Sequence, residues 1–506
     1  MTRRSWLSVL VVAVPRLAVF PFNENLYGDA IARTWLAHVW LASPHLIGGF
    51  DQGALQFGPL HLYLLALAEW LWPSLLHAGR VVSLLSGIAT VVPLERLSRR
   101  LFGERAASWA VFGFAFWGMH IQCSTTSASE AVNLLFVVWA LERFSAWHEN
   151  PDRRAALMAA ALLLNLACAT RYDAWLLVPL LVLAVGLKAR SLRTMAWFAA
   201  LSGTFAVAWL CGNFLDRGTP FYPLTYIDDF HRQWFPSEEA RWGPWRYRLM
   251  CLFFWPGSAV VTLTPLVALG GLWGLWRAWH KGRGRWLVAI VVLPALAYTF
   301  RSAVLASFVP LSRFTVKEVA LLLPFVWVGA TDLFRRWPRL ERPLVPAAGA
   351  ALVGFSLWLG AFTFRSDGRF ENSLRPISPT STNEQRLMTV ARWLAERPDE
   401  SGSIVVDEDP SGYDDMIVSY YTGYPYERQA RRRSPWFERR LAQAPPVFLV
   451  RWEGGRLERE GRLRIDGSTA LLDSIPFEEI EGFEPPLHVL RRVERPHPRG
   501  EMVGAE

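Results

Sequence analysis

Apolar stretches of about 18 to 22 residues recur from residue 5 to residue 363. Each is long enough to cross roughly 30 Å of hydrocarbon as a helix. The segments between them are short and basic: Arg3-Arg4, RLSRRLFGER at 96–105, HENPDRR at 148–154, KARSLR at 188–193, RAWHKGRGR at 277–285 and FRRWPRLER at 334–342. Such clusters mark the cytoplasmic side of a membrane. Spans near 5–21, 79–97, 106–122, 131–147, 155–170, 173–187, 195–211, 250–276, 286–301, 315–333 and 344–363 place every cluster on one side. The N-terminus then lies in the cytoplasm and the tail outside. FGPLHLYLLALAEWLWPSLL at 57–76 is also long enough to span, but it would flip all later basic loops. It holds His61, Glu69, Pro59 and Pro73, and reads as a juxtamembrane or re-entrant helix in a large first outer loop, 22–78. A twelve-span count that includes it is the alternative.

After residue 363 the pattern changes to Arg, Glu, Pro and Gly. The predicted domains are therefore 1–364, a polytopic α-helical membrane domain of about eleven spans, and 365–506, a small extracytoplasmic α/β domain of ordinary size. In the tail, Ser381 and Glu384 form a capping box for a helix over NEQRLMTVARWLAERP, and SIVV, PVFLVRW and LHVLRRV read as strands. The acidic DEDPSGYDD, 407–415, lacks the ligand alternation of a calcium loop and reads as a solvated loop. ERQARRRSP, 427–435, reads as a solvated basic face.

Composition agrees with this division. The 52% hydrophobic content and mean hydropathy of +0.18 are too apolar for a soluble protein with one core. The net charge of +9 sits in the loops between spans, with no nucleic-acid motif beside it. Many of the 26 Trp, among them Trp35, Trp40, Trp72, Trp117, Trp147, Trp242, Trp245, Trp255 and Trp286, end apolar runs and read as an aromatic belt. Cys123, Cys168, Cys211 and Cys251 lack metal-ligand spacing, and apolar packing is expected. Cys211 and Cys251 flank one loop and are the candidate pair in an oxidising compartment. The basic start has no small-residue cleavage site, so an uncleaved first span is expected.

Two carboxylates stand on the outer face. Asp29 opens the amphipathic DAIARTWLAHVWLA, and Glu130 starts the fourth span after Ser127 and Ser129. Each has a plain explanation as a helix-terminal acid. Together they have a chemical one, since a carboxylate at the lipid boundary is costly without a task. Such a pair can deprotonate a hydroxyl and hold a leaving phosphate or a divalent ion. Mg or Mn is the conceivable cofactor, with Asp29 and Glu130 its candidate ligands. Arg16, Arg171 and Arg313 lie at the same face, either as interface anchors or as a phosphate clamp, for which a planar fork is suited. His61 and His120 also face outward, as structural or substrate-binding groups. No Walker loop, dinucleotide fingerprint or HExxH is present.

The order of these pieces carries a resemblance: QFGPLHLYLLALAEWLW, GRVVSLLSGIATVVPLERLSRRLFGERAA, MHIQCSTTSASEAVNLLFVVWALERF, ATRYDAWLLVPLLVLAV and, later, SRFTVKEVALLLPF. The chain resembles the GT-C superfamily of membrane glycosyltransferases, in particular the branch of protein O-mannosyltransferases and the lipid A aminoarabinose transferase. The resemblance implies a hexosyl or pentosyl transferase in the cytoplasmic (inner) membrane. It implies a sugar carried on a polyprenyl phosphate, moved outside the cytoplasm to an acceptor hydroxyl or phosphate with inversion. It implies that Asp29 matches the first-loop catalytic Asp and Glu130 the acid of the second outer loop. The family's Asp-Glu pair is Asp29-Ala30 here. The lysine that some relatives carry before the proline of the embedded segment is Gly58, which shifts the phosphate contact to Arg171 or Arg313. The rival readings are a transporter or flippase of lipid-linked sugars and a non-catalytic scaffold of the same fold.

Overall fold

Inside a bilayer every backbone N–H and C=O must be paired within the protein, which makes long apolar runs helical. The computed structural model describes residues 3–21, 28–54, 58–363, 382–397, 403–407, 414–422, 429–430, 446–483 and 485–493. The chain forms two compact units, Met1–Asn25 with Leu36–Ser381, and Leu26–Trp35 with Thr382–Glu506.

The first unit is helical. It runs α1 (Arg3–Val19), the rest of α2 (Gly28–Ala42), α3 (Pro59–Leu71), α4 (Ala78–Ala89), α5 (Val91–Phe102), α6 (Glu104–Ala115), α7 (Gly118–Thr125), α8 (Ser129–Glu149) and α9 (Arg154–Thr170). Then come α10 (Leu177–Ala189), α11 (Leu192–Arg217), α12 (Tyr222–Trp242), α13 (Pro244–Leu252), α14 (Phe254–Leu263), α15 (Pro265–Lys281), α16 (Arg285–Thr299), α17 (Val316–Arg336) and α18 (Glu341–Thr363). Among the described residues five helical stretches are long and apolar enough to cross a membrane: Ala78–Phe102, Tyr172–Ala189, Leu192–Arg217, Arg285–Val304 and Ser312–Arg336. This is a multi-pass membrane protein.

Small residues set the closest packing. Gly79, Ser83 and Gly87 form a stripe on α4, and α7 lies against it. A Cβ on Gly87 would stand 2.3 Å from the Ser124 hydroxyl. Ser83 donates to the carbonyl of Ala128 at 3.0 Å. On the other side of the unit, a Cβ on Gly274 would meet the Phe325 carbonyl at 1.9 Å and one on Gly329 the Gly270 carbonyl at 2.1 Å, so α15 and α17 touch backbone to backbone.

Several expectations are corrected here. The expected span 250–276 is broken: α13, α14 and α15 replace it, with Thr264 at φ +73 between the last two. Pro265 begins α15, and the residue before a proline is pushed out of the helical region. The expected outer loop 212–249 is largely helical, in α11, α12 and α13. The expected span 106–122 stops at Ala115, after which Trp117 is extended and α7 begins. α7 carries His120, Gln122, Ser124 and Thr125, all buried in protein, where polar side chains avoid lipid. Trp35, Trp117, Trp147 and Trp255 are buried core residues rather than belt residues, whereas Trp72 and Trp245 are exposed. All four cysteines are free thiols. The embedded segment is a helix of 13 residues, too short to cross, started by Pro59 at its first turn and ended before Pro73.

The second unit holds a mixed sheet in the order β2-β1-β3-β7-β6-β5-β4, built from β1 (Ser403–Val406), β2 (Gln429–Ala430), β3 (Pro446–Trp452), β4 (Leu463–Asp466), β5 (Thr469–Leu472), β6 (Ile475–Glu479) and β7 (Leu487–Arg492). β1 is parallel to β2 and β3, and the remaining neighbours are antiparallel. α19 (Thr382–Ala395) buries Leu387, Val390, Ala391 and Leu394, a helical stripe, and α20 (Asp414–Thr422) packs with it. The three expected strands are β1, β3 and β7, while β2, which lies in the segment expected as a solvated basic face, and β4 to β6 are additional. Ser381, residues 408–413 and most of 427–435 lie outside the described residues.

Candidate functional site: a buried guanidinium pair

α8 begins at Ser129, and the carboxylate of Glu130 in its first turn makes no hydrogen bond to its own helix among the described residues. It reaches sideways. Its Oε1 accepts from Arg171 Nη1 at 2.9 Å and from Arg313 Nη1 at 3.4 Å. Arg171 is the residue at which α9 ends, extended at φ −151 and ψ 143 before the 3-10 turn Tyr172–Leu176. Arg313 lies in the 3-10 turn Ser312–Thr315 that leads into α17. That turn is fixed by Thr315, whose hydroxyl donates to the Ser312 carbonyl at 2.8 Å and meets the Ser258 hydroxyl of α14 at 2.7 Å. Both guanidiniums also stand over the ring of Phe314, at 5.9 and 5.3 Å.

The network extends beyond these three. Arg171 Nη1 also donates to the Ser129 hydroxyl at 2.8 Å, and its Nε donates to Asp173 Oδ1 at 3.2 Å. Lys317, on the first turn of α17, reaches the other oxygen of Asp173 at 3.5 Å and the Asp173 carbonyl at 3.3 Å. Lys317 pairs further with Glu318 at 3.5 Å. Glu130, Arg171, Arg313 and Lys317 are each 4 to 7% exposed. Charges so buried need good partners to offset their lost hydration, and these alternate in sign around a small cavity that Asn133 also lines.

Sequence reasoning named Glu130, Arg171 and Arg313, and the structure brings these together. It missed Asp173 and Lys317. The available signal was an ionisable residue inside an apolar run, which by default marks a partner or a site. Arg16 and His120 meet in another buried cluster. The Arg16 guanidinium donates to the carbonyls of Val12, Phe114 and Ala115 at 2.9 to 3.4 Å and stands 2.8 Å from His120 Nδ1. A guanidinium only donates, so His120 Nδ1 accepts and the imidazole carries its proton on Nε2. This joins α1 to α6 and α7. His61 is buried on α3. Asp29 is in the first turn of α2 and half-buried. As to a metal, the described residues hold no group of three or more His, Cys, Asp or Glu fit for a cation. Glu130 faces two guanidiniums, a setting that suits an anion beside it rather than a cation.

α3 reaches this region at its first turn. A Cβ on Gly58 would meet the Ala169 carbonyl at 2.1 Å, so the start of α3 lies on the end of α9, two residues before Arg171. α3 is tied to α2 by His38 Nδ1 and Glu69 Oε1, 2.5 Å apart. The bond to Glu69 raises the His38 pKa above its ordinary value, with burial opposing. A raised folded-state value contributes stability below the unfolded pKa of about 6.5 and loses it as pH rises through the folded one. The gap in melting temperature between wild type and His38→Gln is therefore expected to narrow as pH rises from about 5 to 9. A gap constant over that range would show that the charge on His38 contributes nothing.

Comparison with solved structures reaches nearly the whole chain. ArnT from Cupriavidus metallidurans, in its apo state, superposes with a TM-score of 0.60 over 97% of this chain and 98% of that one, at 15% identity. The chain has the GT-C fold. The same ArnT bound to undecaprenyl phosphate matches over the same shares at 14% identity and a TM-score of 0.60. The GT-C fold is shared by the oligosaccharyltransferase of Archaeoglobus fulgidus, in a complex with Zn and sulfate, at 14% identity, a TM-score of 0.53, and 88% and 67% coverage of the two chains. Within this GT-C chain, residues 76–241 match a domain of unknown function, DUF8201. No curated protein matches.

Proposed function

We propose that the chain is a glycosyltransferase that moves a hexosyl or pentosyl group from a polyprenyl phosphate to an acceptor at the outer face of the cytoplasmic membrane. The observation that carries this reading is the meeting of Arg171 and Arg313 on the single carboxylate of Glu130. The cavity is lined by three cations, Arg171, Arg313 and Lys317, against the two carboxylates of Glu130 and Asp173, which leaves the lining net positive, and both guanidiniums can fork onto phosphate oxygens. Glu130 holds the two cations together against their repulsion until the donor arrives. Two proteins similar in fold add support: ArnT has been solved bound to undecaprenyl phosphate, and the oligosaccharyltransferase AglB of Archaeoglobus fulgidus in complex with an inhibitory peptide and a dolichol phosphate.

Asp29 is the proposed base. Its carboxylate takes the proton of the acceptor hydroxyl while that oxygen attacks the sugar C1. The bond from C1 to the phosphate oxygen breaks, and polyprenyl phosphate leaves with the bonding electrons. Charge grows on the phosphate as the transition state is reached, where preorganised donors contribute most. Attack opposite the leaving group inverts the anomeric centre. No step is routed through a metal.

The test is turnover. Full-length protein in lipid nanodiscs, given a panel of polyprenyl-phosphate sugars, should release polyprenyl phosphate from at least one. Translocation of such a lipid with no bond cleavage would replace this reading with a flippase. Eleven spans with the tail outside belong to the same proposal, motivated by the one-sided basic loops. A reporter active only outside the cytoplasm, fused after Glu506, is expected to be active. Activity from a cytoplasmic reporter alone would put the guanidinium pair on the wrong face.

A further inference from the structure

α17 carries the guanidinium turn at its start. Its last three turns, from Val326 to Arg336, about 15 to 30 Å of helix from Val316 by rise per residue, line a groove of about 430 Å³. The groove lies between α6, α15, α17 and α18, in the part of the first unit that includes the basic segments 277–285 and 334–342. Four indoles line it: Trp109, Trp273, Trp327 and Trp337. Trp273 and Trp337 are about half exposed, at 47% and 49%, so the groove opens on the flank of the bundle. α15 and α17 are already in backbone contact through their glycines, and α18 contributes only Leu344, Val345 and Ala348 to the lining.

The rim is charged, and unequally so. Asp332 lines the groove and takes Arg277 at 2.6 Å, Lys281 at 3.6 Å and the Trp273 indole N–H at 3.3 Å. Arg336, also in the lining, stands over Trp337 at 5.0 Å. One carboxylate among three cations leaves the rim positive. Arg277 Nε is buried and has no hydrogen-bond partner among the described residues. An apolar trough with a positive rim at its membrane-surface end is complementary to a lipid with an alkyl chain and a phosphate headgroup.

We propose that this groove binds one anionic phospholipid of the cytoplasmic leaflet. An acyl chain lies between the indoles, and the phosphodiester sits at Arg277, Lys281 and Arg336. The site is separate from the donor site proposed above, at the other end of α17. Basic residues near the surface favour anionic headgroups over zwitterionic ones of equal chain length.

The test is native mass spectrometry of the full-length protein with added phosphatidylglycerol or phosphatidylcholine of identical chains. One phosphatidylglycerol should be retained, about tenfold more tightly than phosphatidylcholine. Ala330→Trp, which fills the groove from α17, should remove that molecule, and Arg336→Glu should abolish the headgroup preference. Unchanged melting temperatures would show that both variants fold. Equal retention of the two lipids would overturn the proposal, as would a bound phosphatidylglycerol that survives both substitutions. Displacement by polyprenyl phosphate would make the groove part of the donor site. A change of oligomeric state in Ala330→Trp would make it an interface between copies.

Discussion

Asp29→Asn is expected to lower turnover by roughly a hundredfold or more, the usual contribution of a positioned general base. Asn keeps the shape and much of the hydrogen bonding of Asp29 but accepts no proton at neutral pH. Its effect on folding should be small, because a helix-terminal acid is worth only about 1 kcal/mol. The measurement is kcat with saturating lipid donor, beside a melting curve and a donor-binding isotherm. Full activity with normal donor binding would return Asp29 to the role of a helix-terminal acid and leave the reaction without its base.

The second large effect is expected at the guanidinium pair, where function and stability separate. Arg171→Ala leaves Glu130 with Arg313 and Asp173 with Lys317, so each carboxylate keeps a cation. Arg313→Ala leaves Glu130 with Arg171 in the same way. Both variants should therefore fold, yet raise the donor KM by at least about tenfold through loss of a charge-assisted contact to phosphate. Lys at either position should restore only part of this, being a point charge without a fork. Glu130→Gln behaves differently: Arg171 keeps Asp173, but the carboxylate that the two buried guanidiniums share is gone, a loss of about 3–5 kcal/mol in thermal unfolding. Wild-type donor kinetics in both Ala variants would reduce the pair to a structural link between α8, α9 and α17.

What the sequence made legible follows from where its signals are local. Pro59 and Pro73 bracket the embedded helix, so its shortness was readable from two residues. The stripe of α19 and the apolar strands β1, β3 and β7 show their periods plainly. β4, β5 and β6 are only four or five residues long, so no apolar period runs far enough along the sequence to announce them. The break at Thr264 is hidden because the residues on both sides of it are apolar, and only Pro265 marks it. At the site, Glu130, Arg171 and Arg313 could be named as residue types at helix ends. Their meeting could not, because it depends on α9 and α17 presenting side chains 142 positions apart to one oxygen. Asp173 and Lys317 carry no local signal beyond being ionisable residues beside apolar runs, and their pairing is likewise a property of the assembled helices.

The close approach at Gly58 limits what the start of the embedded helix can carry. The Ala169 carbonyl stands 2.1 Å from where a Cβ would be. A side chain cannot be placed there by one substitution, since backbone rather than a movable side chain occupies the space. Any larger residue would require α3 and α9 to part first, at the helix end that carries Arg171. Grafting a phosphate-binding lysine onto this position would therefore have to begin by redesigning the helix contact.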